Sequence, residues 1–354
     1  MKKIVLTGGG TAGHVTPNIA LLPDLFELGY SVEYIGSYAG IEKELIEKEG
    51  VPYHGISSGK LRRYIDLKNI TDPFRVIKGF FQARKLLKEI KPDIVFSKGG
   101  YVSVPVVIAA GRLNIPVIIH ESDMTPGLAN RLCFKSATKV CCNFPETVKL
   151  LPEDKAVLSG SPIRRELLMG DKEKARERAG FTDDKPVLMC VGGSLGSEAG
   201  NGAIRADLTE LLKDFNIIHI CGRNNVDESL NGISGYYQKD YASDDMKDYY
   251  ALSDIICSRA GANVICEILA LKKPSVLVPL PSGGSRGDQI LNAESFARQG
   301  FARCVAQEEA VKPGRLHEII KETFDDRKNY IAAMEASCQS NGIDTIIGLI
   351  KEYS

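Results

Sequence analysis

The sequence predicts an α/β protein built from two Rossmann-like domains facing across a cleft. Three observations predict it. Short β-rich apolar runs alternate with amphipathic stretches along the chain. The alternation starts afresh near residue 186, with a second strand running into a second glycine turn. One whole strand–turn–helix–strand unit also recurs. DIVFSKGGYVSVPVVIAAGRLNIPVII from Asp93 matches DIICSRAGANVICEILALKKPSVLVPL from Asp254, pairing Ser97 with Ser258, Lys98 with Arg259 and Gly100 with Gly261. A chain of 354 residues is long for one core and fits two domains.

The elements follow in order. Ile4–Leu6, Val32–Ile35, Ile94–Phe96 and Val117–Ile119 are almost continuously apolar, which suits parallel strands covered on both faces. Leu22–Leu28 and Ile41–Glu49 have helical spacing. Pro186–Val191 reads as the first strand of the second domain and Gly192–Gly196 as its turn. The junction falls in LSGSPIRREL, where Ser161 looks like an N-cap and Pro162 like the first residue of a new helix. The expected domains are 1–160 and 161–339. A last helix, roughly Thr345–Tyr353, could pack on either.

Composition narrows the function. Apolar residues make up 44% and charged residues 25%, as in globular chains. The 45 basic and 45 acidic residues cancel, so no bulk attraction to nucleic acid is expected. The charge is uneven, however. Lys60–Lys91 holds ten Lys/Arg against Asp66, Asp72 and Glu89, a local balance of +7. Nine cysteines without a C-x-x-C, several in apolar runs (Cys190, Cys221, Cys257, Cys266), suit a reducing, cytoplasmic setting. A strand begins within four residues of Met1, so no signal peptide is expected. No apolar run approaches the ~18 residues of a membrane span, so any membrane role is played at the surface.

Gly8, Gly10 and Gly13 satisfy G-x-G-x-x-G directly after the first strand. Dinucleotide binding also needs an acid near the end of the second strand. That strand ends in Gly36-Ser37, and Glu33 lies inside it, so no NAD or FAD is expected. The glycines could serve tight packing alone. Yet Gly8–Gly13, Gly99-Gly100 and Gly192–Gly196 each fall where a strand's carboxyl end meets a helix, the edge at which open α/β sheets bind ligands and backbone N–H groups favour phosphates. A cleft with a nucleotide on one side and a second phosphorylated substrate on the other follows.

GGGTAGHVTPNIAL, KPDIVFSKGGYVSVPVVIAA, IPVIIHESDMTPGLANR, GSPIR, GGSLGS, SRAGANVICEI and GDQILNA resemble, in order and spacing, the MurG family of glycosyltransferases. The resemblance covers roughly 1–300. It implies a GT-B fold, with the last helix (about 340–354) packing back on the first domain. It implies an inverting transfer of N-acetylglucosamine from UDP-N-acetylglucosamine to the 4-hydroxyl of the muramyl sugar of lipid I, an undecaprenyl-diphosphate-linked muramyl peptide, giving lipid II.

Site residues carry over singly. On the donor side the resemblance implies Arg164 near the phosphates, where its guanidinium fork suits an anion. Ser194 matches the glycine loop, Glu267 the position that holds the uridine ribose, Gln289 the transferred sugar, and Ala262 and Asn263 backbone contacts. Read without the resemblance, Arg164 is a surface helix residue, Ser194 a turn serine and Glu267 a solvated helix position. Thr11, Ala12, Gly13 and His14 match the loop that meets the reacting groups, and the resemblance implies that Thr11, Ala12 and Gly13 also touch the donor. An isolated His there is otherwise a cap or a packed ring. Gly10, Gly100, Tyr101, Ser103, His120 and Glu121 match the acceptor side.

Two departures stand out. Asp123 replaces an Asn common in the family, and PSGGSRGDQ (281–289) is longer than the usual loop. His14 is the expected base, with Asp123 second. The chain holds no Asp-x-Asp, so no metal is expected and helix N-termini with Arg164 would neutralise the leaving UDP. Phe74, Ile77, Phe80 and Phe81 among Arg75, Lys78, Arg84, Lys85 and Lys88 suit an anionic membrane surface, which would place the protein peripherally on the cytoplasmic face. An ordinary helix with Phe inward and Lys outward is the alternative. The rival functions are another GT-B UDP-sugar enzyme (a glycolipid glycosyltransferase or an epimerase), a non-catalytic subunit presenting lipid substrates, and a nicotinamide dehydrogenase.

Overall fold

The computed structural model describes residues 1–59, 68–193, 196–282, 287–337, 339 and 341–354, with backbone alone for 68–71. The chain divides into two compact units, Met1–Arg164 with Asn341–Ser354, and Arg165–Ser340.

The first unit holds seven parallel strands: β1 (Lys3–Thr7), β2 (Ser31–Ser37), β3 (Tyr53–Ile56), β4 (Ile94–Ser97), β5 (Val117–Glu121), β6 (Lys139–Cys142) and β7 (Ala156–Leu158). Their spatial order is β3-β2-β1-β4-β5-β6-β7. This is the doubly wound order, with its switch point between β1 and β4. The strands are β-branched and buried, so apolar clusters form on both faces. One holds Ile4, Leu6, Leu21 and Leu25 with Ile343, Ile346 and Ile350 of the last helix, Ile343–Tyr353, which thus packs on this unit. The other holds Val5, Ile35, Val95 and Ile119 with Ala83 and Leu87 of the helix Lys68–Ile90.

The second unit repeats the plan with β8 (Val187–Val191), β9 (Asn216–Ile220), β10 (Tyr236–Lys239), β11 (Ile255–Ser258), β12 (Ser275–Leu277) and β13 (Arg303–Cys304), ordered β10-β9-β8-β11-β12-β13. The recurring sequence unit begins at the same structural place in each. Asp93 accepts a hydrogen bond from Lys3 N at 2.7 Å, and Asp254 one from Val187 N at 2.8 Å. Each carboxylate ties the start of the fourth strand to the start of the first.

One expectation fails at the junction. Ser161 caps no helix, and Pro162 does not open one. Residues 159–164 are irregular and a short 3-10 turn, Arg165–Leu168, follows. The reason is burial: Ser161, Pro162 and Ile163 are packed inside, and Ser161 O accepts from Gly342 N at 2.9 Å. That bond spends the backbone on pinning the returning chain rather than starting a turn.

The eight cysteines among the described residues are all free thiols. No helix among those residues is long and apolar enough to cross a membrane.

Candidate active site

In the second unit, the switch point lies between β8 and β11. β8 delivers Gly192 and Gly193. Ser197 then caps the helix Glu198–Ala206, its Oγ accepting from Gly200 N at 3.0 Å. β11 delivers Ser258 and Arg259, and Gly261 caps the helix Ala262–Ala270. Two helix N-termini therefore meet one edge, each with backbone N–H groups suited to an anion. Arg259 braces them. Its Nη1 donates to Val278 O at 2.9 Å, and its Nη2 donates to Ser197 Oγ at 2.6 Å and Gln307 Oε1 at 2.7 Å. Burial pulls its pKa below the ordinary guanidinium value.

Above Arg259 is an open cavity of about 360 Å³, lined by Gly192, Gly193, Ser197, Arg259, Gly261 and Gln289 among others. Gln289 is steadied by Leu280 N, which donates to its Oε1 at 3.1 Å. Glu267 lies one turn further along the helix from Ala262 and Asn263, and buried Tyr250 donates to its Oε2 at 3.1 Å. Ser194 and residues 283–286 of the long loop lie outside the described residues. Arg164 belongs to the first unit and is half-buried, with no hydrogen-bond partner for its Nε among the described residues.

The first unit's switch point is built differently. The loop after β1 carries Gly8–Gly10, then a single 3-10 turn, Ala12–His14, before the helix Thr16–Glu27. The loop after β4 carries Gly99-Gly100. The two loops lock together. Gly10 and Gly100 have φ of +86° and +85°. A Cβ on Gly10 would stand 2.6 Å from the Tyr101 ring, and one on Gly100 would stand 2.3 Å from Gly9 O and 3.4 Å from His14 Nδ1. His14, Gly10 and Tyr101 are thus brought to one place. Thr11 Oγ1 lies 3.0 Å from His14 Nδ1, while Thr11 and Ala12 are exposed at the tip.

The remaining acceptor-side residues are buried. Ser103 is fully enclosed and its Oγ donates to Gly100 O at 2.9 Å. His120 sits between Lys98 Nζ, 2.7 Å from Nδ1, and Gly160 O, 2.9 Å from Nε2. Burial, helped by the Lys98 charge, holds its pKa well below the usual imidazole value. The neutral ring accepts from the ammonium at Nδ1 and donates from Nε2. Lys98, only 1% exposed, also donates to Ser122 Oγ. Glu121 accepts from Asp123 N at 3.1 Å, Gly127 N at 2.9 Å and Asn130 Nδ2 at 2.9 Å. Burial raises its pKa, and these hydrogen bonds oppose the rise. Glu121 therefore shapes the loop that carries half-buried Asp123.

Glu33, inside β2, pairs with His54 Nε2 on β3 at 2.7 Å and is committed there. No group of three or more His, Cys, Asp or Glu among the described residues is arranged to hold a metal ion.

Two family descriptions match the chain: glycosyltransferase family 28 N-terminal domain over residues 4–142, and glycosyltransferase family 28 C-terminal domain over 187–348. A protein of Lachnospira eligens is 61% identical over all of both chains. It is named UDP-N-acetylglucosamine–N-acetylmuramyl-(pentapeptide) pyrophosphoryl-undecaprenol N-acetylglucosamine transferase. The chain belongs to glycosyltransferase family 28.

Solved structures agree. Acinetobacter baumannii MurG is 26% identical, with 99% of this chain and 100% of that one covered, at a TM-score of 0.76. A UDP-GlcNAc 2-epimerase from Neisseria meningitidis superposes at 0.69 over 99% of this chain and 100% of that one, with 14% identity. That likeness is one of fold alone. The two parallel-sheet units are those of GT-B glycosyltransferases.

Within this family 28 chain, one site-shaping residue escapes a motif search. Glu42, buried under the first loop, reads in IEKELIEK as one of several solvated helix acids. Lys98 and Arg259 did leave a signal, as partners in the internal repeat. Lys98 is buried and Arg259 half-buried at equivalent strand ends, which gives that pairing its meaning.

Proposed function

We propose that the protein transfers N-acetylglucosamine from UDP-N-acetylglucosamine to the 4-hydroxyl of the muramyl sugar of lipid I, yielding lipid II. The observation that carries the reading is the second unit's open cavity between two helix N-termini, braced by Arg259, in a chain 61% identical to a transferase of that name. The diphosphate suits the amides at the starts of the helices Glu198–Ala206 and Ala262–Ala270. Glu267 accepts the ribose hydroxyls, Gln289 meets the sugar, and Arg164 adds charge to the leaving UDP.

His14 serves as base. With Nδ1–H donating to Thr11 Oγ1, Nε2 takes the proton from the acceptor hydroxyl as its oxygen bonds to C1. The bond from C1 to the phosphate oxygen breaks with inversion and UDP departs. The test is UDP release and disaccharide formation with a short-chain lipid I analogue, in EDTA. Release only with the acceptor supports a metal-independent transferase. Release without acceptor indicates hydrolysis or epimerase-like chemistry instead.

We propose a membrane-facing surface on the helix Lys68–Ile90 and, with it, a peripheral position at the cytoplasmic face. Phe74, Ile77 and Phe81 are 71%, 55% and 61% exposed, and Arg75, Lys78, Arg84, Lys85 and Lys88 accompany them on the helix's exposed side. Phe80 instead packs on the core. Residues 60–67 of the basic stretch lie outside the described residues. Vesicle co-sedimentation should rise with anionic lipid content and fall at least tenfold on replacing all three exposed side chains by Ala. Binding indifferent to both would refute the surface.

A further inference from the structure

Fully buried Glu42 sends its carboxylate up under the first glycine loop. Oε2 accepts from Gly10 N at 3.2 Å. Oε1 accepts from Ser37 N at 3.2 Å and Ser37 Oγ at 2.5 Å. The fit is close. A Cβ on Gly9 would lie 2.6 Å from Glu42 Cδ, and one on Gly40 2.2 Å from both oxygens. Ser37 is held in turn by Tyr53, whose Oη donates to Ser37 O at 2.5 Å.

A dinucleotide-binding fold aims an acid at a ribose from this part of the sheet. Here the acid comes from the helix Ile41–Lys48, just after β2, and turns onto the loop's own amide. An internal carboxylate thus takes the anion's place at Gly10. The loop it holds is the one that packs on Tyr101 and Gly100 and leads into His14.

We infer that Glu42 is a positioning residue for transfer: by anchoring Gly10 it fixes His14 and Tyr101 at the acceptor edge without touching substrate. The inference rests on the reading of His14 as base. Displacing a reacting group by about 1 Å can cost about 10²-fold in rate, so a loosened loop should lower kcat and leave the second unit's donor cavity intact.

Glu42→Gln keeps the shape but leaves one carbonyl to serve both Gly10 and Ser37. The experiment compares it with Ser37→Ala, which removes one partner from Oε1 and leaves Oε2 on Gly10. Glu42→Gln is expected to lower kcat about 10–100-fold, with KM for UDP-N-acetylglucosamine within twofold and faster amide exchange across residues 8–14. Ser37→Ala is expected to keep kcat within about threefold. If both variants lose kcat alike at matched loss of thermal stability, Glu42 is merely structural and the inference fails. Unchanged exchange at Gly10 in Glu42→Gln would also overturn it. His14→Ala with full kcat removes the base reading instead, while the exchange readout still tests the anchor.

Discussion

The two switch points share a topology and differ in what fills them. In the first unit, a carboxylate from below, a tyrosine ring and two interlocked glycine loops close the edge. What remains exposed is the tip carrying Thr11 and Ala12, with His14 behind it. In the second unit, Arg259 braces the edge from beneath and leaves a cavity of about 360 Å³ above it. The charged groups are also used differently: at the first edge Lys98 turns its ammonium onto His120 and Ser122 while Glu42 takes the amide of Gly10, whereas Arg259 at the equivalent strand end lines the cavity. A half-buried guanidinium lining an open cavity invites phosphate, whereas a buried carboxylate has already satisfied an amide that phosphate would use. One edge is therefore suited to a nucleotide diphosphate, and the other to holding reactive side chains still.

The largest expected break in this comparison is His14→Ala. Loss of a general base costs about 10²–10⁴-fold in turnover. Donor affinity, carried mainly by the second unit's cavity and not by the His14 ring, should stay within about twofold. Steady-state UDP release with acceptor and calorimetric titration of UDP read the two quantities. Equal losses in both would mean that the division of labour is wrong.

That division was partly legible in the chain itself. The alternation of apolar strands and helices, the restart at Pro186 and the Asp93/Asp254 repeat predict two doubly wound units because each is enforced by short-range pattern. The glycine turns were legible because φ near +86° leaves few alternatives. Glu42 was not legible. Whether a helix acid faces water or a neighbouring loop depends on how the helix Ile41–Lys48 docks against β2, which no local spacing encodes. Ser161-Pro162 misled for a related reason. Their local preference for a helix start yields to the need to bury this segment and bind Gly342.

Second in size is Arg259→Met, which fills similar volume without the fork. Ser197 Oγ, Gln307 Oε1 and Val278 O lose a charged donor, and such bonds contribute about 1.5–3 kcal/mol each before relaxation. A net loss of about 2–4 kcal/mol is expected, together with weaker UDP binding. The unfolding midpoint of the second unit should fall by several degrees. Calorimetry that shows the first unit melting earlier instead would contradict Arg259 as the brace of its own edge.

Third is a matched glycine pair. Gly100→Ala meets both a positive φ and the Gly9 carbonyl 2.3 Å away, so about 2–3 kcal/mol of destabilisation is expected. Gly261→Ala occupies the paired position in the repeat, but its φ is −65° and an added Cβ meets nothing within 4 Å. It should change stability by less than about 0.5 kcal/mol. Urea unfolding of the two variants checks this directly. Similar costs would mean that the repeat imposes the same turn on both edges.

The smallest effect concerns acid. In the second unit, His219 lies between Tyr236 Oη at 2.9 Å and Asn201 Oδ1 at 3.0 Å, and burial, followed by the Arg205 charge, lowers its pKa to about 3. Unfolded, it titrates near 6.5, so between those values only the unfolded chain binds the proton. The stability it contributes is complete above pH 6.5 and is lost as pH falls toward 3, at about 1.4 kcal/mol per pH unit. His120 gives the first unit a slope of the same sign. There the raised carboxyl of Glu121 opposes it, because the folded state holds that proton more tightly than the unfolded one. The second unit should therefore weaken first on acidification from pH 6.5 to 5.5. His219→Gln should flatten that slope in the second unit alone, as read by hydrogen exchange of peptides from each unit. A slope that survives the substitution would place the acid sensitivity elsewhere and remove this last distinction between the two edges.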